Sequence, residues 1–171
     1  MSGISGAQGR KAIDFSTQQR ASLKLGLVKA EWNSQITDEL AAGAQRVWLE
    51  HGFKSDQIVE MNVPGSFELP LGARWLIEHH QVDAVVALGC LIKGETPHFE
   101  YISQAVSTGL MQVGLSTGVP VAFGVLTVLN EAQARDRIGG SQGHKGEEAT
   151  ETVLRMLAQK YPRTTNIVSA S

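Results

Sequence analysis

The run VDAVVALGCLI, residues 82–92, admits few folds. It is shorter than the roughly 18–20 apolar residues of a membrane span. It is also too continuous for a strand with one face in water, which alternates apolar and polar residues. A strand of a parallel sheet covered on both faces reads this way. Other segments supply the rest of such a sheet. Leu23 to Val28 alternates Leu23, Leu25 and Leu27 with Lys24 and Gly26, and Gln57 to Val63 and Val119 to Val128 are further strands. Helical spacing fills the intervals. Ile36, Leu40, Ala44, Val47 and Trp48 share a stripe within residues 35–51, which Gly52 ends. Leu69, Ala73, Leu76 and Ile77 mark a helix ending at His79 and His80. Thr96 as N-cap and Pro97 in the first position open another, continued by Phe99, Ile102, Val106, Leu110 and Val113. Asn130 and Gln133 pair as caps of a short helix ending at Ile138-Gly139, and a Gly-rich loop then leads to a last helix with Ala149, Val153, Met156 and Leu157 inward.

The order βαβαβαβαα predicts an α/β fold, a flavodoxin-like three-layer sandwich with a four-stranded parallel sheet. Residues 21–160 make one domain, residues 1–20 a flexible N-terminal arm and residues 161–171 a C-terminal tail. Ligands of such sheets sit at the carboxyl ends of the strands. That directs attention to the chain near Trp32, Pro64–Glu68, Cys90–His98 and Thr127–Asn130.

Composition excludes several classes. Fifteen Lys plus Arg against 17 Asp plus Glu leave a net charge of −2, without the basic stripe of a nucleic-acid binder. The single cysteine, Cys90, excludes a disulfide framework and a multi-cysteine metal site, and fits a reducing, cytoplasmic compartment. No secretory signal or membrane contact is expected, since MSGISGAQGRKAIDF holds no apolar core. No metal is expected, because no Cys or His pair has ligand spacing. No nucleotide cofactor is expected either. Gly89 and Gly94 have the spacing of a phosphate loop, but Glu95 stands where that loop needs Lys, and no G-x-G-x-x-G follows a strand.

The chemistry-bearing stretch is GCLIKGETPHFEY, residues 89–101, which leaves a buried strand, crosses a glycine loop and enters a helix. Backbone N–H groups near Gly94 to Thr96 suit an anion such as phosphate. His98 falls in the first helical turn, where an imidazole is either a proton-transfer group or a solvated cap. Arg135 and Arg137 are either a solvated pair or a guanidinium clamp for phosphate, with Lys145 beyond the Gly-rich loop. Trp32 suits stacking on a planar ring or a contact at an interface. Glu68, in PGSFEL, either accepts from a polar ligand or complements a helix start. Cys90 reads as a small buried hydrophobe.

Together VPGSFELP, ALGCLIKGETPHFEY, GVPVAFGVLT, the pattern Gln133-x-x-x-Arg137-x-Gly139 and HKGEEA resemble the lumazine synthase family over about residues 22–158. The resemblance implies condensation of 5-amino-6-(D-ribitylamino)uracil with 3,4-dihydroxy-2-butanone 4-phosphate to 6,7-dimethyl-8-ribityllumazine, with loss of phosphate and two waters and no cofactor. By position, Trp32 would stack on the pyrimidine. Ser66, Phe67 and Glu68 would bind its ribityl chain and ring, and Cys90, Leu91 and Ile92 would line the pocket through their backbone. Glu95 and Thr96 match the butanone-phosphate site, His98 the proton-transfer residue and Arg137 the phosphate clamp. Phe123 and Lys145 match further pocket positions, and Glu148 a carboxylate that orients the histidine.

The chain departs from the family where His144 replaces a common Asn, Ser141 a common Lys, and Asn130-Glu131-Ala132 a more acidic pattern. The resemblance also implies a homopentamer with sites between neighbours, a 60-subunit shell as one further assembly, and riboflavin synthase as a partner. Phe123 and Arg137 would then reach a site whose Trp32 and His98 belong to the next copy. The competing readings are a non-catalytic flavin- or lumazine-binding or shell protein, and an enzyme that dismutates the lumazine. Intact His98, Arg137 and Glu68 speak against the first, and the phosphate-site residues against the second.

Overall fold

The computed structural model describes residues 13–162. Strands β1 (Leu25–Ala30), β2 (Ile58–Val63), β3 (Ala84–Ile92) and β4 (Val121–Val128) pair in parallel in the order β2-β1-β3-β4. Helices α2 (Ser34–Glu50) and α6 (Lys145–Lys160) cover one face, and α3 (Leu69–His80) and α4 (His98–Thr117) the other. This is the flavodoxin-like sandwich that the alternation of elements predicts. β3 serves both layers by simple alternation: Ala84, Val86, Leu88 and Cys90 enter the core under α2 and α6, and Val85 and Ala87 the core under α3 and α4. That two-sided burial is why the run carries no polar residue between Ala84 and Ile92.

Short elements complete the chain. Helix α1 (Thr17–Ser22) precedes β1, α5 (Glu131–Arg135) follows β4, and β5 (Ile138–Gly140) pairs antiparallel with β6 (Gly143–His144). The short helix expected to reach Ile138 thus stops at Arg135, because Ile138 to His144 closes a hairpin whose Gly139 and Gly143 take positive φ. Asn130 caps α5 as expected, accepting from the Gln133 N–H at 3.0 Å. Gln133 Oε1 turns instead to the Leu129 N–H.

Two further expectations shift. The helix after the glycine loop begins at His98 with Pro97 at its N-cap, one residue later than Thr96 and Pro97 suggested. In α6, Leu154 is buried and Met156 is exposed, because the helix packs on both α2 and β4 and its inward stripe runs Ala149, Thr150, Val153, Leu154 and Leu157. Gly146 permits the close approach of α6 to α2, since a Cβ there would lie 2.0 Å from the Leu40 carbonyl oxygen.

Of the arm expected over residues 1–20, residues 1–12 lie outside the described residues. From Ile13 the chain packs inward. Phe15 is buried, and its ring meets Phe53 edge-on at 5.3 Å. Phe53 in turn stacks on Trp48 at 3.9 Å. Of the expected tail, residues 163–171 lie outside the described residues, and the Tyr161 carbonyl accepts from Gln19 Nε2 at 2.9 Å. Among the described residues no helix is long and apolar enough to cross a membrane.

Candidate active site

The sheet creates its own cleft. β1 lies beside β3 only as far as the Lys29–Leu88 pair. Beyond it β1 follows β2: Ala30 pairs with Val63, the Glu31 N–H donates to the Val63 carbonyl (2.8 Å) and the Trp32 N–H to the Pro64 carbonyl (3.2 Å). β3 meanwhile stays with β4 through Ile92–Val128, and the Lys93 N–H extends that ladder to the Val128 carbonyl. The sheet therefore opens between β1 and β3 at their carboxyl ends. This is the point where the strand order reverses, the place where open α/β sheets bind ligands.

A cavity of about 560 Å3 occupies that opening. Trp32, Asn33, Ser66, Phe67, Glu68, Cys90, Leu91, Ile92, His98 and Ile102 line it. Eight of these were expected from sequence; Asn33 and Ile102 were not. Each wall has a simple origin. The turn Val63–Ser66 ends β2 and starts a 3-10 turn, Ser66–Glu68, that runs into α3. There the Glu68 carboxylate accepts from the Gly65 N–H at 3.0 Å, so one of its oxygens completes the turn. Trp32 and Phe67 are exposed and Ser66 is buried at the floor, which gives aromatic edges over a polar base. Cys90 is buried, and desolvation, followed by the charge of Glu131, pushes its thiol up from 9.0 to about 11. It enters the cavity as a neutral group, without nucleophilic character at neutral pH.

His98 stands exposed at the first residue of α4 and lines the cavity. Between it and Ile92, Glu95 and Thr96 lie on the exposed loop and outside the cavity lining. Lys93 and Glu100 pair across this loop at 2.7 Å, and the ammonium holds the Glu100 carboxyl below the usual carboxylate range.

The remaining expected residues form a second site. Phe123, Arg137, Lys145 and Glu148 line a separate cavity of about 460 Å3, together with Thr127 and Thr152, along the outer side of the edge strand β4. Arg137 donates through Nη1 to the Gln133 carbonyl (2.9 Å), and the Lys145 N–H donates to the Arg137 carbonyl (2.9 Å). Lys145 Nζ lies 2.7 Å from Glu148 Oε2. His144, buried against Gly43 of α2, caps α6 by accepting from the Glu147 N–H. No residue lines both cavities. One chain thus carries an aromatic and polar pocket with a histidine at one end of the sheet, and a cationic pocket with a phenyl ring at its edge. Among the described residues no cluster of three His, Cys, Asp or Glu side chains is placed to hold a metal ion.

The family model for 6,7-dimethyl-8-ribityllumazine synthase matches residues 22–160. A 6,7-dimethyl-8-ribityllumazine synthase of Cytophaga hutchinsonii is 53% identical over 139 residues, 81% of this chain and 87% of the relative. Proteins of the same description from Porphyromonas gingivalis (48% over 134 residues, 78% and 83%) and Deinococcus radiodurans (46% over 135 residues, 79% and 85%) are also similar to it.

Proposed function

The chain belongs to the 6,7-dimethyl-8-ribityllumazine synthase family, and from that premise we propose how its two half-sites build the lumazine. It is an enzyme of this family, a transferase that condenses 5-amino-6-(D-ribitylamino)uracil with 3,4-dihydroxy-2-butanone 4-phosphate. The uracil occupies the cavity between β1 and β3, its ring on Trp32 and its ribityl chain along Ser66, Phe67 and Glu68. The phosphate of the second substrate meets Arg137 and Lys145, with Glu95 and Thr96 closing over it. The two half-sites come from neighbouring copies, so each complete site lies at a subunit interface.

The observation that carries this reading is the division itself. All of the expected site residues except Glu95 and Thr96, which stand on the exposed loop, fall into two cavities that share no residue. A neighbouring chain seated against β4 would bring Trp32 and His98 of one copy to Phe123 and Arg137 of the next. A groove of about 700 Å3 adjoins the second cavity through Phe123 and exposes Met111, Leu115 and Met156. Contiguous apolar surface of this kind is rarely left in water. Assembly as a homopentamer, with a 60-subunit shell as a further stage and a cytoplasmic setting beside riboflavin synthase, accords with the resemblance.

The chemistry asks for what these residues offer. The 5-amino group attacks the ketone and water leaves to give an imine. Elimination of phosphate then develops anionic charge, which the Arg137 guanidinium stabilises. After tautomerisation the ribitylamino nitrogen closes the second ring and a second water leaves. Each step moves protons, and an imidazole at His98 carries them near neutral pH. Holding two reactants in register contributes on its own, at best roughly 7–11 kcal/mol of the barrier.

The test is a turnover assay following lumazine absorbance above the uncatalysed rate, with His98→Ala and Arg137→Ala each alone and then co-assembled from mixed, unfolded chains. Each variant alone should be slow. The mixed assembly should regain activity, because some interfaces then carry two intact halves. Mixed assemblies no faster than either parent would overturn the shared site, and a wild type without acceleration would leave a binding or shell protein.

A further inference from the structure

Asn33 is the polar residue of the first cavity that neither sequence pattern nor resemblance singles out. It has two unusual features. Its backbone is left-handed, with φ 59° and ψ 44°, a conformation rare outside glycine and best tolerated by Asn and Asp. Its side-chain amide Nδ2 donates to the Cys90 carbonyl oxygen at 2.9 Å, a partner 57 residues away in sequence. The two features belong together. The left-handed residue turns the chain from the end of β1 into α2, and that turn aims the amide back across the open sheet.

The split between β1 and β3 gives the contact its meaning. Trp32 hangs from the β1–β2 side, through its N–H to the Pro64 carbonyl. Cys90, Leu91 and Ile92 belong to the β3–β4 side. The backbone ladder joining the two sides stops at Lys29–Leu88. Beyond that pair, Asn33 spans the gap.

We propose that Asn33 is a positioning residue for the pyrimidine substrate: its amide bridge from β1 to the Cys90 carbonyl sets the spacing between the Trp32 ring and the Cys90–Ile92 wall. A planar ring stacks well only at van der Waals contact, so a cleft held a fraction of an ångström too wide loses contact on one face. Asn33 acts on the uracil subsite and leaves the phosphate subsite at β4 untouched. It rests on the reading of this cavity as the uracil pocket.

Two variants separate the bridge from the fold. Asn33→Gly keeps the left-handed turn at no steric cost and removes the amide. Asn33→Asp keeps size and turn, but presents an acceptor to a carbonyl oxygen. Calorimetric titration with the ribitylaminouracil alone, and separately with inorganic phosphate, reads the two subsites without turnover. In both variants the uracil dissociation constant should rise about tenfold, with phosphate binding and the thermal midpoint near wild type. Uracil affinity within twofold of wild type in both variants overturns the proposal. So does an equal loss for both ligands, which would mark a general loosening. A wild type that binds the uracil but shows no turnover fails the enzymatic reading alone, and one that binds no uracil fails both.

Discussion

A Cβ placed on Gly65 would stand 2.8 Å from Cε3 and Cζ3 of Trp32, so the indole lies directly on bare backbone. Gly65 itself is extended, at φ −138° and ψ 177°, and any residue could adopt that conformation. Its requirement is the space the ring occupies. Gly65→Ala should therefore displace an exposed indole at little cost to the fold, while spoiling the platform proposed for the uracil. We expect a thermal midpoint within a few degrees of wild type and a several-fold weaker uracil affinity by fluorescence titration. A variant with unchanged affinity would show that Trp32 does not carry the ring.

Arg137 should separate the two substrates kinetically. One of its N–H donors is held by the Gln133 carbonyl, which ties the guanidinium to α5, and the Arg137 carbonyl accepts from the Lys145 N–H. Removing a charge-assisted contact to phosphate costs roughly 10- to 100-fold in affinity. Arg137→Ala should raise the Michaelis constant for butanone phosphate by that order and leave the constant for the uracil near wild type. Steady-state rates with each substrate varied in turn decide it, and equal increases for both would count against a phosphate clamp.

Much of this architecture is legible because strands and helices announce themselves by period. Trp32, Ser66–Glu68 and His98 follow readable strands and Cys90–Ile92 end one, and the rule that ligands sit at strand ends places them together. Asn33 was not legible, because its role depends on a positive φ and on a carbonyl 57 residues away. Met156 was misread because α6 packs on α2 and β4 at once, and a stripe facing two neighbours is centred on Leu154. The division of most site residues between two cavities follows from β4 being an edge strand, which no local pattern records and only the family resemblance implies. Phe15 stood in a polar stretch, and only the fold supplies its partner Phe53.

Phe15 makes the segment before α1 part of the core. Its buried ring packs edge-on against Phe53, itself stacked on Trp48. Truncating a buried phenylalanine usually costs about 3–5 kcal/mol, which for a chain of this size lowers the melting midpoint by roughly 10 °C. Phe15→Ala should show such a loss in thermal or urea unfolding. A change below about 1 kcal/mol would mean that this segment adds nothing to the stability of the domain.

Cys90 should make stability fall at alkaline pH. Burial raises its thiol from 9.0 to about 11, so the folded chain keeps a proton that the unfolded chain gives up near pH 9. Below pH 9 both states hold the proton and the group contributes no pH dependence. Between about 9 and 11 unfolding releases a proton, so the unfolded state binds fewer protons and rising pH favours it. The loss should be on the order of 2–3 kcal/mol by pH 11. Urea midpoints taken between pH 8 and 11 on wild type and Cys90→Ala isolate it, since other groups titrate alike in both. The wild-type curve should drop more steeply with pH than that of the variant, and Cys90 in the folded protein should resist alkylation at pH 8 while the unfolded chain reacts. Parallel curves for the two proteins, or rapid labelling of the native chain, would place the thiol in contact with water and count against its burial at the end of β3.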